Sequence, residues 1–232
     1  MVCVFSSQEQ SDEVSVAVDL VIFTVRDGAL QVLLIERGKE PFLGGLALPG
    51  GYVRGAEGLD AAAARELFEE TGVDPARLHL EQLRTYGEPE RDPRGRVFSV
   101  AYLALGPDLP SPVAGTDAAT AFWMPVKKAQ SAKLAFDHAV ILSDGLERAR
   151  AKLEYSTVAT AFCQEPFTVA DLRRVYEVVW DAKLEPSNFH RKVTRAEGFL
   201  VPAGRHRAAD LGRPAALYRR GGATTLTPPL LR

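Results

Sequence analysis

The chain has 232 residues, 46% hydrophobic and 25% charged, which is enough for one large domain or two modest ones with a buried core. Two cysteines, Cys3 and Cys163, and no CxxC pair argue against a disulfide framework or a cysteine-based zinc site; no apolar run is long enough to span a bilayer, and no signal-peptide pattern opens the chain. The net charge of −2 is unevenly spread: residues 155–232 carry 12 Lys and Arg against 7 Asp and Glu, and the preceding residues 16 against 23. An acidic front and a basic back point to two domains with different partners, in a soluble protein expected in the cytoplasm.

Residues 1–12 read as a polar tail. The β-branched run "SVAVDLVIFTV" (15–25) predicts a strand, "DG" at 27–28 a turn, and "LQVLLIER" (30–37) the second arm of a hairpin. A loop and a short strand lead to "AAAARELFEETG", a helix by its Ala, Glu and Leu content, with Gly72 as its left-handed stop. Strands are expected around 78–86 and 96–105, then a Pro/Gly/Asp loop (106–118), "AFWMPV" as a short strand or turn, and a long amphipathic helix over 137–155. Antiparallel strands combined with two long helices predict an α/β sandwich.

Beyond Tyr155 the pattern changes. "FTVADLRRVYEVVWD" (167–181) is helical, and Thr168 with Asp171 fits a capping box. "SNFHRKVTR" (187–195) is a second short helix that Ser187 can cap, followed by "GFLVPAG" and "PAALYRR", two short strands around an Arg-rich stretch. Helix, break, helix and basic hairpin form the order of a winged helix-turn-helix. The boundary is expected at Tyr155, giving domains 1–155 and 156–232, and the segment around 153–162, without Gly or Pro, predicts a short connection.

Gly51, Glu57, Arg65, Glu66, Leu67, Glu69, Glu70, Gly72 and Val73 follow the spacing G-x5-E-x7-R-E-U-x-E-E-x-G-U, U being aliphatic. Glu66, Glu69 and Glu70 share one side of the helix, and three crowded carboxylates repel unless a cation lies between them. Hard oxygen ligands suit Mg²⁺ or Mn²⁺, which can clamp and polarise a pyrophosphate. Arg65 is placed to pair with Glu57, and Gly50 and Gly51 permit close backbone approach to a phosphate. The motif resembles the Nudix box at every fixed position. The resemblance implies an α/β/α sandwich, a ligand made of a nucleoside diphosphate linked to another group, and Glu66, Glu69, Glu70 and Arg65 as the catalytic set if the site turns over.

In ADP-ribose pyrophosphatases of that family a proline lies about sixteen residues past the box, the place held here by Pro89; Arg91, Arg94 and Arg96 follow as candidate phosphate contacts. Holding a pyrophosphate and cleaving it use the same ligands, and cleavage adds a positioned base. Glu69, Asp117 and Glu88 are candidates for it, and His138 beside Asp137 is a further one unless, as a histidine opening a long helix, it is structural.

In the second short helix, Phe189 and Val193 face the core, which leaves Asn188, His190, Arg191, Lys192 and Arg195 for base edges and phosphates. Arg205, Arg207 and Arg213 fall in the expected wing loop, where arginines meet phosphates or the minor groove. The order of box, long helix and basic helix-turn-helix, over about 15–220, resembles the Nudix-related transcriptional regulators of NAD metabolism. That resemblance implies a homodimer on an inverted-repeat operator in double-stranded DNA, repression of NAD biosynthesis or salvage genes, and release by ADP-ribose or a relative. A Mg-dependent ADP-ribose pyrophosphatase, or a protein with both functions, is the alternative that the complete box keeps open.

Overall fold

The computed structural model describes residues 14–112, 118–208, 214–227 and 229–230, and the backbone alone at Ala118 and Ala119. Strand β1 (Ser15–Arg26) turns through Asp27 and Gly28, both at positive φ, into β2 (Ala29–Arg37), the hairpin expected from "DG". β3 (Leu46–Ala47) and β4 (Gly50–Tyr52) precede helix α1 (Leu59–Thr71), which Gly72 ends at φ 66° with its N–H on the Phe68 carbonyl. β5 (His79–Tyr86), β6 (Val97–Pro107) and β7 (Ala118–Pro125) complete the sheet. A short α2 (Val126–Ala129) leads to the long α3 (His138–Tyr155).

The sheet order is β3-β2-β1-β6-β5, with β4 also on β1 and β7 on β2. β1 runs parallel to β6 from Ser15↔Val97 to Val25↔Pro107. Its other edge is shared: Phe23 to Arg26 pair with β2, whereas Ala17 to Asp19 pair with β4. β2 therefore parts from β1 and follows β7, and this splay opens a cleft at the box end of the sheet.

The strict alternation of β1 sets the layers. Val18, Leu20 and Ile22 pack with Ala62, Ala63 and Leu67 of α1, while Val21 and Phe23 pack with Ile141, Leu142 and Leu146 of α3. This is the α/β/α sandwich expected from the sequence. Asp19 belongs to the α3 face, a carboxylate within an otherwise apolar strand.

After α3 a buried 3₁₀ turn (Thr157–Phe162) makes the short connection. β8 (Phe167–Thr168), α4 (Val169–Trp180), α5 (Pro186–Arg195), β9 (Leu200–Arg207) and β10 (Ala215–Arg220) form the winged helix, with sheet order β8-β10-β9. The Thr168–Asp171 capping box is present in both directions. Two expectations are corrected. α5 starts at Pro186 and is capped by the Glu185 carboxylate, which accepts from the N–H groups of Ser187 and Asn188, because proline at the first helical position sets the cap two residues earlier than Ser187 would place it. β9 continues through Arg205 and Arg207, so both lie on the strand, not in the wing loop.

One core cluster runs unbroken from Val21 of the sheet to Val193 of α5 and Leu230 of the tail. The tail returns across the junction: Leu226 N–H donates to Tyr155 O (2.8 Å) and Leu230 N–H to Glu154 O (3.1 Å). Between α4 and the β1–β2 turn lies a cavity of about 810 Å³, walled by Gly28, Ala29, Arg150, Arg173, Arg174 and Lys183 among others.

Candidate functional site

Arg65 organises the box. Its guanidinium grips Glu57 through two hydrogen bonds (3.0 and 2.6 Å), reaches Glu66 Oε1 at 2.6 Å and lies 3.5 Å from Glu69. The bonds from Arg65, supported by the Arg54 N–H, hold the Glu57 carboxyl down at about 2. Glu57 in return keeps Arg65 charged, with its pKa above the ordinary range. The expected pairing of Arg65 with Glu57 is thus in place, and it ties the loop before α1 to the helix.

Glu66 and Glu70 are 8% and 5% exposed, while Glu69 lies closer to solvent and 3.4 Å from Arg54. Burial pushes the Glu66 carboxyl up, against the pull of Arg65. The glycines have a steric reason beyond phosphate approach. A Cβ on Gly51 would sit 2.2 Å from Glu66 Oε1, and one on Gly50 2.2 Å from the Val18 carbonyl. β4 can press against both β1 and the acidic turn only without those side chains.

Gly50 and Gly51 also line the cleft of about 120 Å³ left by the splay of β1 and β2. Its floor is a polar cluster drawn from four distant segments. Ser99 donates to Asp19 at 2.5 Å. Arg91, its side chain 3% exposed, holds Asp137 through two bonds (2.9 and 2.6 Å) and lies 3.4 Å from Asp19. His138 accepts from the Leu48 N–H at Nδ1 (2.8 Å), which leaves the proton on Nε2, 3.5 Å from Asp19. Burial lowers its pKa, so the ring stays neutral. His138 thus lines the cleft with Nδ1 already engaged by the Leu48 N–H and Nε2 turned towards Asp19.

The rim is aromatic and cationic. Arg94 forks onto Asp92 (2.9 and 2.6 Å) and lies 5.2 Å from the Tyr52 ring and 5.5 Å from the Phe136 ring, while Arg37 stands 4.7 Å from Phe136. Of the four residues expected from "TYGEPERDPRGR", Arg91 and Arg94 line the cleft. Arg96 instead donates to the Gly87 carbonyl (2.6 Å) and covers Phe98, because that segment folds back on its own strand pair. Pro89 and Glu88 are exposed and outside the cleft lining, and Asp117 lies outside the described residues.

The residues present fit a hard divalent cation by donor chemistry: the buried carboxylates of Glu66 and Glu70 lie one helical turn apart, beside a glycine that leaves room for close approach. Among the described residues no group of three His, Cys, Asp or Glu side chains is already gathered for a metal. A cation would compete with Arg65 for Glu66.

In the winged domain, Phe189 and Val193 are buried as expected, and the Phe189 ring meets Tyr176 edge-on at 5.3 Å. Asn188, His190, Arg191 and Arg195 are exposed on the outer side of α5, where Arg191 bonds the Asn188 side chain at 2.7 Å. Lys192 differs: its ammonium is turned to the Leu230 carbonyl at 3.0 Å. Arg205 and Arg207 are exposed on β9, and Arg207 pairs with Asp171 at the start of α4 (2.9 Å). Arg213 lies outside the described residues.

Sequence reasoning missed Asp19 and Ser99. A lone carboxylate in "SVAVDLVIFTV" was the available signal, since a buried acid demands partners. Tyr52, Phe136 and Arg37 were missed as rim residues because single aromatics and cations in loops carry no periodicity.

Comparison with known proteins agrees with both halves. The NUDIX domain pattern matches residues 15–144, and the NrtR DNA-binding winged helix domain pattern matches 160–220. The chain is 34% identical over 204 residues to the ADPR responsive transcriptional repressor NtrR of Acinetobacter baylyi, covering 87% of this chain and 80% of that one. It superposes on Shewanella oneidensis NrtR complexed with a 27mer DNA with a TM-score of 0.76 at 34% identity, over 88% of this chain and 93% of that one. The NUDIX domain of Shewanella oneidensis NrtR complexed with ADP ribose matches with a TM-score of 0.53 at 36% identity, over 58% of this chain and 87% of that one.

Proposed function

This chain belongs to the NUDIX family and carries the NrtR winged helix domain, and from that premise we propose that it is a DNA-binding transcriptional repressor whose Nudix domain takes ADP-ribose as effector. The observation that carries the reading is the joining, in one folded chain, of a complete box cleft to a helix whose outer face holds Asn188, Arg191 and Arg195. Such side chains make bidentate contacts to base edges or meet phosphates, as recognition helices require. Arg205 and Arg207 on the wing supply backbone contacts. The regulated genes are those of NAD biosynthesis or salvage, the operator is an inverted repeat, and a homodimer supplies two recognition helices at matching spacing. The division between effector and DNA-binding domains falls at Tyr155, and the work is cytoplasmic. No helix of the described residues is long and apolar enough to cross a membrane.

Within the effector site, Glu66, Glu69 and Glu70 would hold Mg²⁺ or Mn²⁺, which supplies charge neutralisation at the pyrophosphate. Gly50 and Gly51 let the diphosphate approach the backbone, Glu57 and Arg65 keep the acidic turn in register, and Arg91 and Arg94 face the remaining anionic oxygens. The completeness of the box supports a second reading, in which the same site also hydrolyses ADP-ribose to AMP and ribose 5-phosphate. Footprinting on DNA upstream of NAD genes tests the first: a protected inverted repeat, lost when ADP-ribose is added, is expected, and uniform protection indifferent to ADP-ribose would refute it. AMP release by the same preparation with Mg²⁺, abolished in Glu70→Gln, tests the second.

A further inference from the structure

Arg91 is the one cation of the buried floor cluster, and two carboxylates share it. Asp137, its two-bond partner, is the residue that opens α3. A ligand anion that reaches Arg91 therefore meets Asp137 as a competitor for the same guanidinium.

The other end of α3 is fastened to the winged domain. Leu153 O accepts from the Tyr176 hydroxyl (2.8 Å), Arg150 Nε donates to Val179 O (3.2 Å), and Glu154 O accepts from Leu230 N–H (3.1 Å). Leu230 O in turn receives the Lys192 ammonium from α5. The 18 residues of α3 make a rod of about 27 Å between these two sets of contacts. The cavity between α4 and the β1–β2 turn leaves α4 room to shift against the sheet.

Resting on the function proposed above, we propose that the Arg91–Asp137 ion pair is a latch through which an anionic nucleoside-diphosphate ligand controls DNA binding. Latched, α3 holds α4 and α5 in the placement that fits the operator. Phosphate oxygens that take the Arg91 guanidinium release Asp137, and the freed end of α3 lets the winged domain move. Asp137 is a positioning residue in this scheme and touches neither ligand. A ligand shifts an equilibrium only by the difference in its affinity for the two states, and breaking the latch supplies that difference. Linkage then requires that whatever unlatches the protein weakens DNA binding and strengthens effector binding.

The test is Asp137→Asn in the full chain, with operator affinity measured with and without ADP-ribose, and ADP-ribose affinity measured without DNA by calorimetry at fixed Mg²⁺. The expected variant binds operator as weakly as ADP-ribose-loaded wild type, responds less than about twofold to added ADP-ribose, and binds ADP-ribose several-fold tighter than wild type, within the roughly 5–150-fold range of such couplings. A merely structural role would weaken both ligands. A variant that binds ADP-ribose no tighter, or whose operator binding still falls with ADP-ribose as in wild type, overturns the latch. Should Asp137→Asn not fold, Asp137→Glu decides: a shift of both affinities in the same opposed directions supports the latch, and unchanged affinities refute it. If wild type itself shows no response of operator binding to ADP-ribose, the function reading falls and the latch with it.

Discussion

Arg65 and Glu57 make the clearest pH-dependent contact of the box. The Glu57 carboxyl is held at about 2 by the Arg65 bonds, below its usual 4.5. A depressed acid contributes stability that is complete above its unfolded value and is lost as pH falls through the folded one, so this contribution should fade between about pH 4.5 and pH 2. Glu66, raised by burial, works in the opposite sense, and its ionisation costs stability as pH rises. Urea unfolding of wild type and Glu57→Gln between pH 2 and 7 should show two curves that separate at neutral pH and converge towards pH 2; parallel curves would contradict the assignment. Gly51→Ala is a steric test at the same spot. Its Cβ would lie 2.2 Å from Glu66 Oε1, so the buried Glu66 carboxylate must swing away from its bond with Arg65. The expected cost is about 1–3 kcal/mol in thermal unfolding, with ADP-ribose binding weakened at least tenfold. Unchanged values for both would mean that the glycine is not needed there.

At the scale of elements, the legible parts were those with a periodic or punctuated signal. The β1–β2 hairpin follows from alternating β-branched residues around Asp27-Gly28, and α1 and α4 follow from composition and caps. The box was readable because its residues are close in sequence and its glutamates Glu66, Glu69 and Glu70 lie about one turn apart on α1. The cleft floor was not, because Asp19, Arg91, Ser99 and Asp137 meet only after β1 pairs with β6 and α3 covers them. The tail was equally hidden: Leu226 and Leu230 find burial only against a junction more than sixty residues upstream, too sparse a pattern for periodicity to register. Helix α5, the proposed recognition helix, depends on its N-terminal cap. Glu185 satisfies two N–H groups at the start of α5. Glu185→Ala should lower stability and weaken operator binding with ADP-ribose affinity unchanged. Thermal unfolding and anisotropy on the same sample check this, and a drop in ADP-ribose affinity would mean that the cap serves more than α5.

On the scale of the whole molecule, a continuous core runs from the sheet through the junction into α5. A loosely tethered winged domain would have its own separate core and no route for effector control. Here α3, the buried 3₁₀ turn and the returning tail bind the two parts at several points, so a change at the cleft has a mechanical path to the DNA face. In the proposed function, one chain reads DNA under the control of a ligand in the box cleft. Fluorescence anisotropy of a labelled duplex from upstream of an NAD gene, at near-physiological salt with and without ADP-ribose and against a scrambled duplex, tests it most directly. Selective binding that ADP-ribose weakens by at least several-fold is expected. Equal affinity for the scrambled duplex, falling steeply with salt and indifferent to ADP-ribose, would leave only backbone electrostatics and contradict it.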